Sequence, residues 1–320
     1  MTATLAETAE KLKTLKSAVI FCHMRPDGDA IGSAMGLKRL LEKCGVHCSV
    51  ACESPIPKKF TFLPGTEAFA EPVNTDAEAF IAVDSSDENR LGKYGQIFAQ
   101  AKKYKINIDH HISNTRFGDC NYVDDVAATC QIVARLIDLL GVGCDPLTAN
   151  FIMMGLSSDT GNFAHKNVTE ETFLAAAKLT ALGADIHAIQ YNMFKRQSPE
   201  RARLFGETMS KIRYFADGRI AMIAVTAADL KRTGATSDMT EGFIDFPLGV
   251  EGVEVAACLL ETGENRFKIS LRSGGRADVN AIAAVYGGGG HILASGCMIG
   301  GELEEVIDKL RYTIVQHLAD

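Results

Sequence analysis

Histidine and aspartate residues are concentrated in four short segments of this 320-residue chain, which read HMRPDGD, VDSSD, DHH and SSDTGNF. The side chains in them that bind metals or transfer protons are His23, Asp27, Asp29, Asp84, Asp109, His110, His111 and Asp159. Any single aspartate could be only a helix cap or a turn residue. Four clusters favour a functional site, because massed carboxylates and imidazoles repel one another unless a cation joins them.

The chemical types of these side chains indicate which metal they would bind. Four carboxylates and two imidazoles without a cysteine suit Mn²⁺ or Mg²⁺ better than a zinc ion held by thiolates. Six ligands also exceed the number that tetrahedral zinc uses, so two ions that share one carboxylate are the simplest arrangement. A pair of metal ions about 3.5–4 Å apart binds phosphoryl oxygens and activates water. The residues therefore predict hydrolysis of a phosphoester.

The elements that must position these residues follow from the hydrophobic pattern. In the first half of the chain, apolar runs alternate with amphipathic helical patterns, which is typical of a parallel sheet with crossover helices. Strands are predicted at 17–22, 47–52, 79–84 and 104–109, and helices at 30–43, 127–140, 146–157, 169–182 and 185–194. The first three clusters therefore fall at the carboxyl ends of strands, where open α/β sheets bind ligands.

The length of the chain favours two domains, since a typical domain has about 100–200 residues. A charged stretch at 195–206 is predicted to link a first domain at 1–194 to a second at 207–320. Strands in the second domain are predicted at 211–215, 219–225, 253–261 and 266–272, and helices at 278–286 and 302–318. We therefore expect an α/β protein, with a parallel sheet flanked by helices and a smaller α/β domain with a mixed sheet.

Charge and composition exclude several classes of partner. The net charge of -7 argues against broad binding of duplex DNA, which requires many lysines and arginines. No apolar stretch approaches the roughly 18 residues of a membrane span, and the N-terminus lacks the features of a signal peptide. We therefore expect a cytoplasmic protein without a membrane partner, and a homodimer is the default assembly.

The cysteines are expected to be reduced thiols. There are nine, and they lack the dense, regular spacing of a disulfide framework. Cys44, Cys48 and Cys52, with His47 between them, raise the alternative of a zinc site. Their spacing contains no CxxC pair, so small buried core residues are the favoured interpretation.

The four segments resemble, in the same order, the four motifs of the DHH phosphoesterase superfamily. They read HMRPDGDAIGSAMGL, IAVDSSD, IDHH and SSDTGNF, and SLRSGGRADVNAIAAVYGGGGHILASG is similar to the associated DHHA1 domain. Within the superfamily, the compact two-domain layout resembles the branch of nanoRNases and 3′-phosphoadenosine 5′-phosphate (pAp) phosphatases. The resemblance implies a catalytic DHH domain at 1–194 and a substrate-binding DHHA1 domain at 207–320.

The activity that this resemblance implies is Mn²⁺-dependent hydrolysis of short oligoribonucleotides, linear dinucleotides and pAp. Two alternatives stay open. One is a phosphodiesterase for the cyclic dinucleotide c-di-AMP, since the same motifs serve both activities. The other is a nucleotide-binding sensor that has lost catalysis. A family II inorganic pyrophosphatase or a RecJ-like exonuclease is less well matched, because the first has no need of GGGGH and the second requires additional binding modules.

The resemblance also implies a role for each polar residue of the four motifs. One metal ion would be held by His23, Asp27 and Asp84. The second ion would be held by Asp29, Asp84, His110 and Asp159, so that Asp84 bridges the two. His111 would face the scissile phosphate as an electrostatic stabiliser or proton donor, and Asp109 would orient the histidines or cap the strand end.

The second domain is expected to hold the nucleotide end of the substrate. The glycine run offers backbone N–H groups that approach an anion closely, and an arginine can form a forked contact with phosphate. The expected substrate-binding residues are Arg272, Ser273, Gly288, Gly289, Gly290, His291 and Ser295. One departure from the family pattern is Ile292, where many relatives have a lysine or arginine. One phosphate contact is therefore either absent or supplied by Arg276.

Overall fold

The computed structural model describes residues 2–70 and 72–318, and it divides the chain into two compact units, Met1–Arg196 and Gln197–Asp320. Part of the stretch that the sequence predicts as a linker is helical, because Pro199–Met209 forms a helix of the second unit. The Ser198 hydroxyl caps this helix by accepting a hydrogen bond from the backbone N–H of Arg201, at 3.2 Å. Proline is tolerated in the first turn because its missing N–H has no partner there.

The first unit is a five-stranded parallel sheet covered by helices. Its strands are β1 (Ser17–Phe21), β2 (His47–Ala51), β3 (Ala79–Val83), β4 (Tyr104–Asp109) and β5 (Cys120–Val123). Its helices are α1 (Leu5–Thr14), α2 (Gly28–Lys43), α3 (Lys93–Gln100), α4 (Thr129–Leu140), α5 (Pro146–Asp159), α6 (Glu170–Ala181) and α7 (Ile186–Gln190). The strand order is β2-β1-β3-β4-β5, so β1, β3 and β4 are neighbours in the middle of the sheet.

The sheet buries apolar side chains on both faces, which explains why its strands are continuous hydrophobic runs. All five residues of β3 are buried. On one face Phe21 and Phe80 pack edge to face, with ring centroids 5.1 Å apart, and Phe98 of α3 packs against both. On the other face the core is formed with α2, α4 and α5. Both layers confirm the predicted parallel α/β architecture.

Helices α2 and α5 approach each other so closely that glycine is required between them. A Cβ atom at Gly32 would lie 2.4 Å from the carbonyl oxygen of Phe151 and 3.0 Å from the Cys130 sulfur. A Cβ atom at Gly155 would lie 2.2 Å from the same sulfur. This close backbone packing fixes the first turn of α2 against the last part of α5.

The second unit has a mixed sheet, as the sequence predicts, and this sheet has six strands rather than the four predicted. Its strands are β6 (Arg213–Phe215), β7 (Ile220–Val225), β8 (Val255–Gly263), β9 (Arg266–Ser273), β10 (Gly289–His291) and β11 (Ala294–Gly300). Its helices are α8 (Pro199–Met209), α9 (Ala227–Thr233), α10 (Asp245–Leu248), α11 (Val279–Ala284) and α12 (Leu303–His317). The order is β10-β11-β9-β8-β7-β6, and β7 pairs with β8 in parallel while the other neighbours are antiparallel.

Among the described residues, no single helix is long and apolar enough to cross a membrane. The segments Glu170–Ala181 and Ile186–Lys195 meet the length and composition requirements only as a pair, and they are bent by 116° at the break between them. The second segment consists of α7 and a π-helical turn, Tyr191–Lys195.

Substitution of Gly32 by alanine should destabilise the first unit. The added methyl group meets a backbone carbonyl at 2.4 Å, and that atom cannot rotate away. Overpacking of this kind costs about 1–3 kcal/mol, which outweighs the helix-propensity gain of at most about 1 kcal/mol. Scanning calorimetry should show a lower transition temperature for this variant. The control is Gly206→Ala in α8, where a Cβ atom has open space, and it should not lower the transition temperature.

Candidate metal centre

The candidate ligands lie at the carboxyl edge of the first sheet because three neighbouring strands end there. His23 comes two residues after β1, Asp84 directly follows β3, and His110 directly follows β4. β2 lies on one side of β1 and β3 lies on the other, so the order in which strands are added to the sheet reverses between β1 and β3. Open α/β sheets bind ligands at such a switch point. Asp84 adopts a left-handed backbone conformation with φ 52°, which is uncommon for residues other than glycine.

Two helices bring the remaining carboxylates to the same edge. Asp27 is the N-cap of α2, and its Oδ1 accepts hydrogen bonds from the backbone N–H groups of Asp29 and Ala30, both at 3.0 Å. Asp29 lies in the first turn of α2 and is fully buried. Asp159 is the last residue of α5. The glycine-mediated contact between α2 and α5 therefore brings these side chains together.

Asp84 is central to the cluster because its two carboxylate oxygens face different imidazoles. Its Oδ2 lies 3.6 Å from Nε2 of His23, and its Oδ1 lies 3.5 Å from Nε2 of His110. Nε2 of His23 is also 3.7 Å from Oδ2 of Asp27, and Nε2 of His110 is 3.4 Å from Oδ2 of Asp159. Two overlapping groups of donors thus meet at one carboxylate.

The hydrogen bonds of the two histidines indicate which nitrogen can bind a metal. Nδ1 of His23 is 2.9 Å from the carbonyl oxygen of Met24, and Nδ1 of His110 is 3.0 Å from that of Val126. A carbonyl only accepts, so each Nδ1 carries the hydrogen and each neutral ring offers the lone pair of Nε2 to the carboxylates.

Nε2 of His110 provides a test of whether the cluster fits a cation. This atom is buried and has no hydrogen-bond partner among the described residues. A buried lone pair beside carboxylate oxygens is unfavourable unless a proton or a cation lies between them. Three groups of three side chains have donor atoms within 4.8 Å of one another, and these groups are His23–Asp27–Asp84, Asp29–His110–Asp159 and Asp84–His110–His111. The donor set fits divalent metal ions.

The pKa values of the cluster reflect how closely its carboxylates and imidazoles are packed. Burial opposes protonation of His23, but Asp27 and Asp84 outweigh it and raise the pKa of His23 to about 10. Burial and the charges of Asp29, Asp84 and Asp27 raise the pKa of Asp159 to about 9. Burial also raises the pKa of Asp29 well above its usual range. Without a metal, protons therefore neutralise part of the cluster.

Asp29 is held in place by the N-terminus of α4. Its Oδ2 accepts a hydrogen bond from the backbone N–H of Thr129 at 2.6 Å, and its Oδ1 accepts one from Cys130 at 2.8 Å. The Thr129 hydroxyl donates to Asp84 at 3.1 Å. Sequence reasoning missed this support. The available signal was the alanine at the N-cap of α4, Ala128, which has no side chain that could cap the helix. The cap comes from Asp29 instead.

The second histidine of the DHH triplet forms a separate pair with Asp109. Nδ1 of His111 is 2.8 Å from Oδ1 of Asp109, and this hydrogen bond is the main cause that raises the pKa of His111. Burial opposes ionisation of Asp109, but the bonds from His111 and Asn114 hold its pKa below the usual value. The Asn114 side chain donates to Oδ2 of Asp109 at 2.6 Å and to the Ser85 carbonyl at 3.0 Å. Sequence reasoning also missed Asn114.

The expected substrate-binding residues lie in the second unit, on two sides of its sheet. The register pairs Arg272 with Ala294 and Ala294 with His291, so Arg272 and His291 share one face. Ser295 pairs with Leu271 on the core face, and its hydroxyl donates to the carbonyl of His291 at 2.7 Å. The Ser273 hydroxyl accepts backbone hydrogen bonds from residues 275 and 277. Both hydroxyls therefore support the local backbone.

The last two residues of the glycine run, Gly289 and Gly290, belong to the edge strand β10, and Gly287 and Gly288 directly precede it. A Cβ atom at Gly288 would lie 2.2 Å from the carbonyl oxygen of Gly296, and one at Gly290 would lie 2.6 Å from that of Ala294. Only glycine allows this pairing, and Gly290 has φ 152°. Gly289 is exposed on this strand.

A cavity of about 560 Å³ lies beside the face that carries Arg272. Arg272, Ser270 and Lys268 of β9 line it, together with the segment that contains Thr240. Lys268 and Ser270 alternate with buried residues of β9 and therefore share the face of Arg272. Neither residue was singled out from the sequence, because nothing in their spacing distinguishes them from an ordinary solvated strand.

Binding of Mn²⁺ should release protons at neutral pH. The raised pKa values of His23 and Asp159 mean that both groups hold protons in the metal-free protein, and a metal ligand must lose its proton. The affinity should therefore increase with pH until it passes these pKa values. Calorimetric titration in two buffers of different ionisation enthalpy should give different heats. Equal heats, or an affinity that is the same at acidic and neutral pH, would contradict this expectation.

Comparison with known proteins finds relatives of both units. The model of the DHH family N-terminal domain matches residues 17–156, and that of the DHHA1 domain matches residues 220–319. A protein of Thermus thermophilus described as a bifunctional oligoribonuclease and PAP phosphatase NrnA is 33% identical over 315 residues, which cover 97% of this chain and 93% of the relative.

Solved structures share the architecture. An exopolyphosphatase-related protein from Bacteroides fragilis superposes with a TM-score of 0.87 and 28% identity, covering 98% of this chain and 96% of that protein. Exonuclease RecJ bound to manganese shares the fold, with a TM-score of 0.56 and 15% identity over 99% of this chain and 96% of that one. This chain therefore belongs to the DHH family, with a DHH N-terminal domain followed by a DHHA1 domain.

Proposed function

We propose that this protein is a Mn²⁺-dependent phosphoesterase that hydrolyses short oligoribonucleotides, linear dinucleotides and pAp. The observation that carries the proposal is the position of Asp84, whose two oxygens face the ligand nitrogens of His23 and His110. The substrate class is supported by the Thermus relative, whose name describes both activities and whose similarity extends over nearly the whole of both chains.

The proposed centre holds two Mn²⁺ ions, with Mg²⁺ as the alternative ion. The ligands of the first ion are His23, Asp27 and Asp84. The ligands of the second ion are Asp29, Asp84, His110 and Asp159. When bound, such ions polarise phosphoryl oxygens and make water nucleophilic at neutral pH. Asp29 can ligate while it caps α4, because each carboxylate oxygen has a second lone pair.

His111 is proposed to act on the phosphate rather than on a metal. Its Nδ1 is occupied by Asp109, which leaves Nε2 as the ring nitrogen that can contact substrate. The hydrogen bond with Asp109 raises the pKa of His111 and so favours the protonated ring, which suits donation of a proton to the leaving oxygen. Asp109 is a positioning residue, since it is buried and bonded to both His111 and Asn114.

The second unit is proposed to bind the nucleotide part of the substrate. Arg272 and His291 share one face of the sheet, and Lys268 adds a second positive charge beside the cavity that Arg272 lines. Asp238 and Glu241 also line this cavity. The exposed backbone of Gly289 lies on the same face of the sheet as His291. The internal hydrogen bonds of Ser273 and Ser295 support a role in shaping this surface, in place of the direct phosphate contact that the sequence suggested.

The two alternative functions are distinguished by substrate and by turnover. Cleavage of c-di-AMP would use the same ligands, so the geometry of the metal centre does not separate it from the proposed activity. A sensor that has lost catalysis would be expected to lack ligands, whereas all six positions here hold competent donors. Homodimer formation, the absence of duplex DNA binding and a cytoplasmic location stay predictions.

A substrate panel tests the proposed function. Purified protein with Mn²⁺ should release mononucleotides from dinucleotides and short RNA and should dephosphorylate pAp, more rapidly than it cleaves c-di-AMP. Asp84→Asn should lower kcat/KM by more than about 100-fold, the upper end of what loss of an outer-shell partner costs. Asp138→Asn, an exposed residue paired with Lys178, should retain activity. An intact wild-type protein that hydrolyses none of these substrates would rule out the assignment.

Measurements of kcat and of Mn²⁺ affinity on two variants separate metal binding from proton transfer. His111→Asn should lower kcat by about 10²–10⁴-fold while Mn²⁺ affinity stays unchanged, since proton transfer by a placed side chain contributes that much. Asp84→Asn should lower the affinity itself. Loss of Mn²⁺ binding in the His111 variant would place this histidine among the metal ligands instead.

A further inference from the structure

Cys22 and Cys52 lie side by side at the ends of two neighbouring strands, and Cys22 directly precedes the candidate metal ligand His23. Strands β1 and β2 pair in parallel, with Phe21 opposite Ala51, and the backbone N–H of Cys22 donates to the Ala51 carbonyl at 3.2 Å. The pairing therefore continues to Cys22 and Cys52, whose side chains belong to the same buried cluster. Neighbouring strands lie about 4.8 Å apart, and disulfides span Cα distances of about 4.4–6.8 Å.

Hydrogen bonds to the backbone place the two thiols beside each other. The Cys22 thiol donates to the carbonyl oxygen of Ala51, which precedes Cys52, at 3.9 Å, and the Cys52 thiol donates to that of His23, which follows Cys22, at 3.3 Å. Both residues are free thiols in the structure. Formation of a disulfide between them would thus require little movement of the backbone.

Cys52 also forms a hydrogen bond with the backbone of a candidate metal ligand. Its thiol donates to the carbonyl oxygen of His23 at 3.3 Å, and Cys22 is the residue that precedes His23. The sulfur pair therefore touches the short segment that places the His23 ring. Supporting contacts of this kind typically change metal affinity 10–100-fold when they are lost, as an order-of-magnitude guide.

A route exists for a small oxidant to reach the pair. Cys52 lines a cavity of about 590 Å³ together with Ser54, Thr66 and Tyr94. Cys52 is 7% exposed, whereas Cys22 is 1% exposed. The first reaction with an oxidant therefore falls on Cys52, and Cys22 is placed to resolve it.

We propose that Cys22 and Cys52 are a redox-sensitive modification site, in which a peroxide converts the thiols to a disulfide that weakens metal binding. The inference rests on the proposed metal centre. Sulfur of Cys52 attacks one peroxide oxygen, the O–O bond breaks, and water leaves as a sulfenic acid forms. Sulfur of Cys22 then attacks the sulfenic sulfur, the S–S bond forms, and a second water leaves. Two thiols are oxidised by two electrons and hydrogen peroxide is reduced to two waters.

The disulfide acts on the metal centre through His23. Once Cys52 has lost its S–H, the hydrogen bond to the His23 carbonyl cannot form. Because Cys22 directly precedes His23, the new S–S bond also restricts the segment that places the His23 ring. Reduction by a dithiol restores both thiols, so the effect is reversible.

Peroxide treatment of the full-length protein, metal-free and with Mn²⁺, tests this inference. Peptide mapping under non-reducing conditions should find a Cys22–Cys52 link and an intact mass lower by two hydrogens. The oxidised protein should bind Mn²⁺ about 10–100-fold more weakly in calorimetric titration, and dithiothreitol should restore the affinity. Absence of the link in the folded protein would overturn the proposal. A link that leaves the affinity unchanged would overturn the coupling to His23.

Matched variants identify the cysteines responsible. Cys22→Ala and Cys52→Ala should each prevent both the link and the peroxide-dependent loss of affinity. Cys297→Ala is the control, because this cysteine in the second unit is 7% exposed, as Cys52 is, and pairs with Ile269 rather than with a thiol. It should behave like the wild type. These readouts use only thiols and metal, so failure of the substrate panel would overturn the proposed function without affecting them.

Discussion

Repulsion among buried carboxylates is the constraint on which the rest of the first unit depends. Asp29 and Asp84 are almost fully buried. Burial and the charges of Asp84 and Asp27 raise the pKa of Asp29. Burial and the charges of the same cluster also raise the pKa of Asp159. Such a cluster is stable only with a compensating positive charge. Protons supply part of this positive charge in the metal-free protein, and divalent ions would supply more. The repulsion among the carboxylates therefore destabilises the empty cluster and favours cation binding.

The fold meets this constraint with main-chain groups and tight helix packing. The N-terminus of α4 donates two N–H groups to Asp29, and its partial positive charge favours the ionised carboxylate. Glycines at Gly32 and Gly155 let α2 and α5 approach closely enough to bring Asp29 and Asp159 to the strand ends. Backbone carbonyls fix the tautomers of both ligand histidines. Ligand geometry is therefore set mostly by the backbone.

The sequence was sufficient to predict the strands that end shortly before His23, next to Asp84 and at Asp109, because each apolar run stops abruptly at a polar residue. It also predicted a class with two sheets and the helices α2 and α5, although the predicted bounds, 30–43 and 146–157, stopped short of Asp29 and Asp159. It did not reveal the edge strands β5 and β10, since short edge strands and glycine runs gain their structure from pairing with other segments. It also missed β11, an internal strand between β10 and β9. The support from Asn114 and from the N–H of Thr129 was missed for the same reason: these contacts depend on tertiary register and not on local spacing.

A direct measurement of the central claim is anomalous X-ray scattering from crystals grown with Mn²⁺. A centre that shares the Asp84 carboxylate should give two peaks about 3.5–4 Å apart, one beside His23 and the other beside His110, with that carboxylate between them. A single peak, or peaks remote from Asp84, would contradict a centre built around this shared carboxylate.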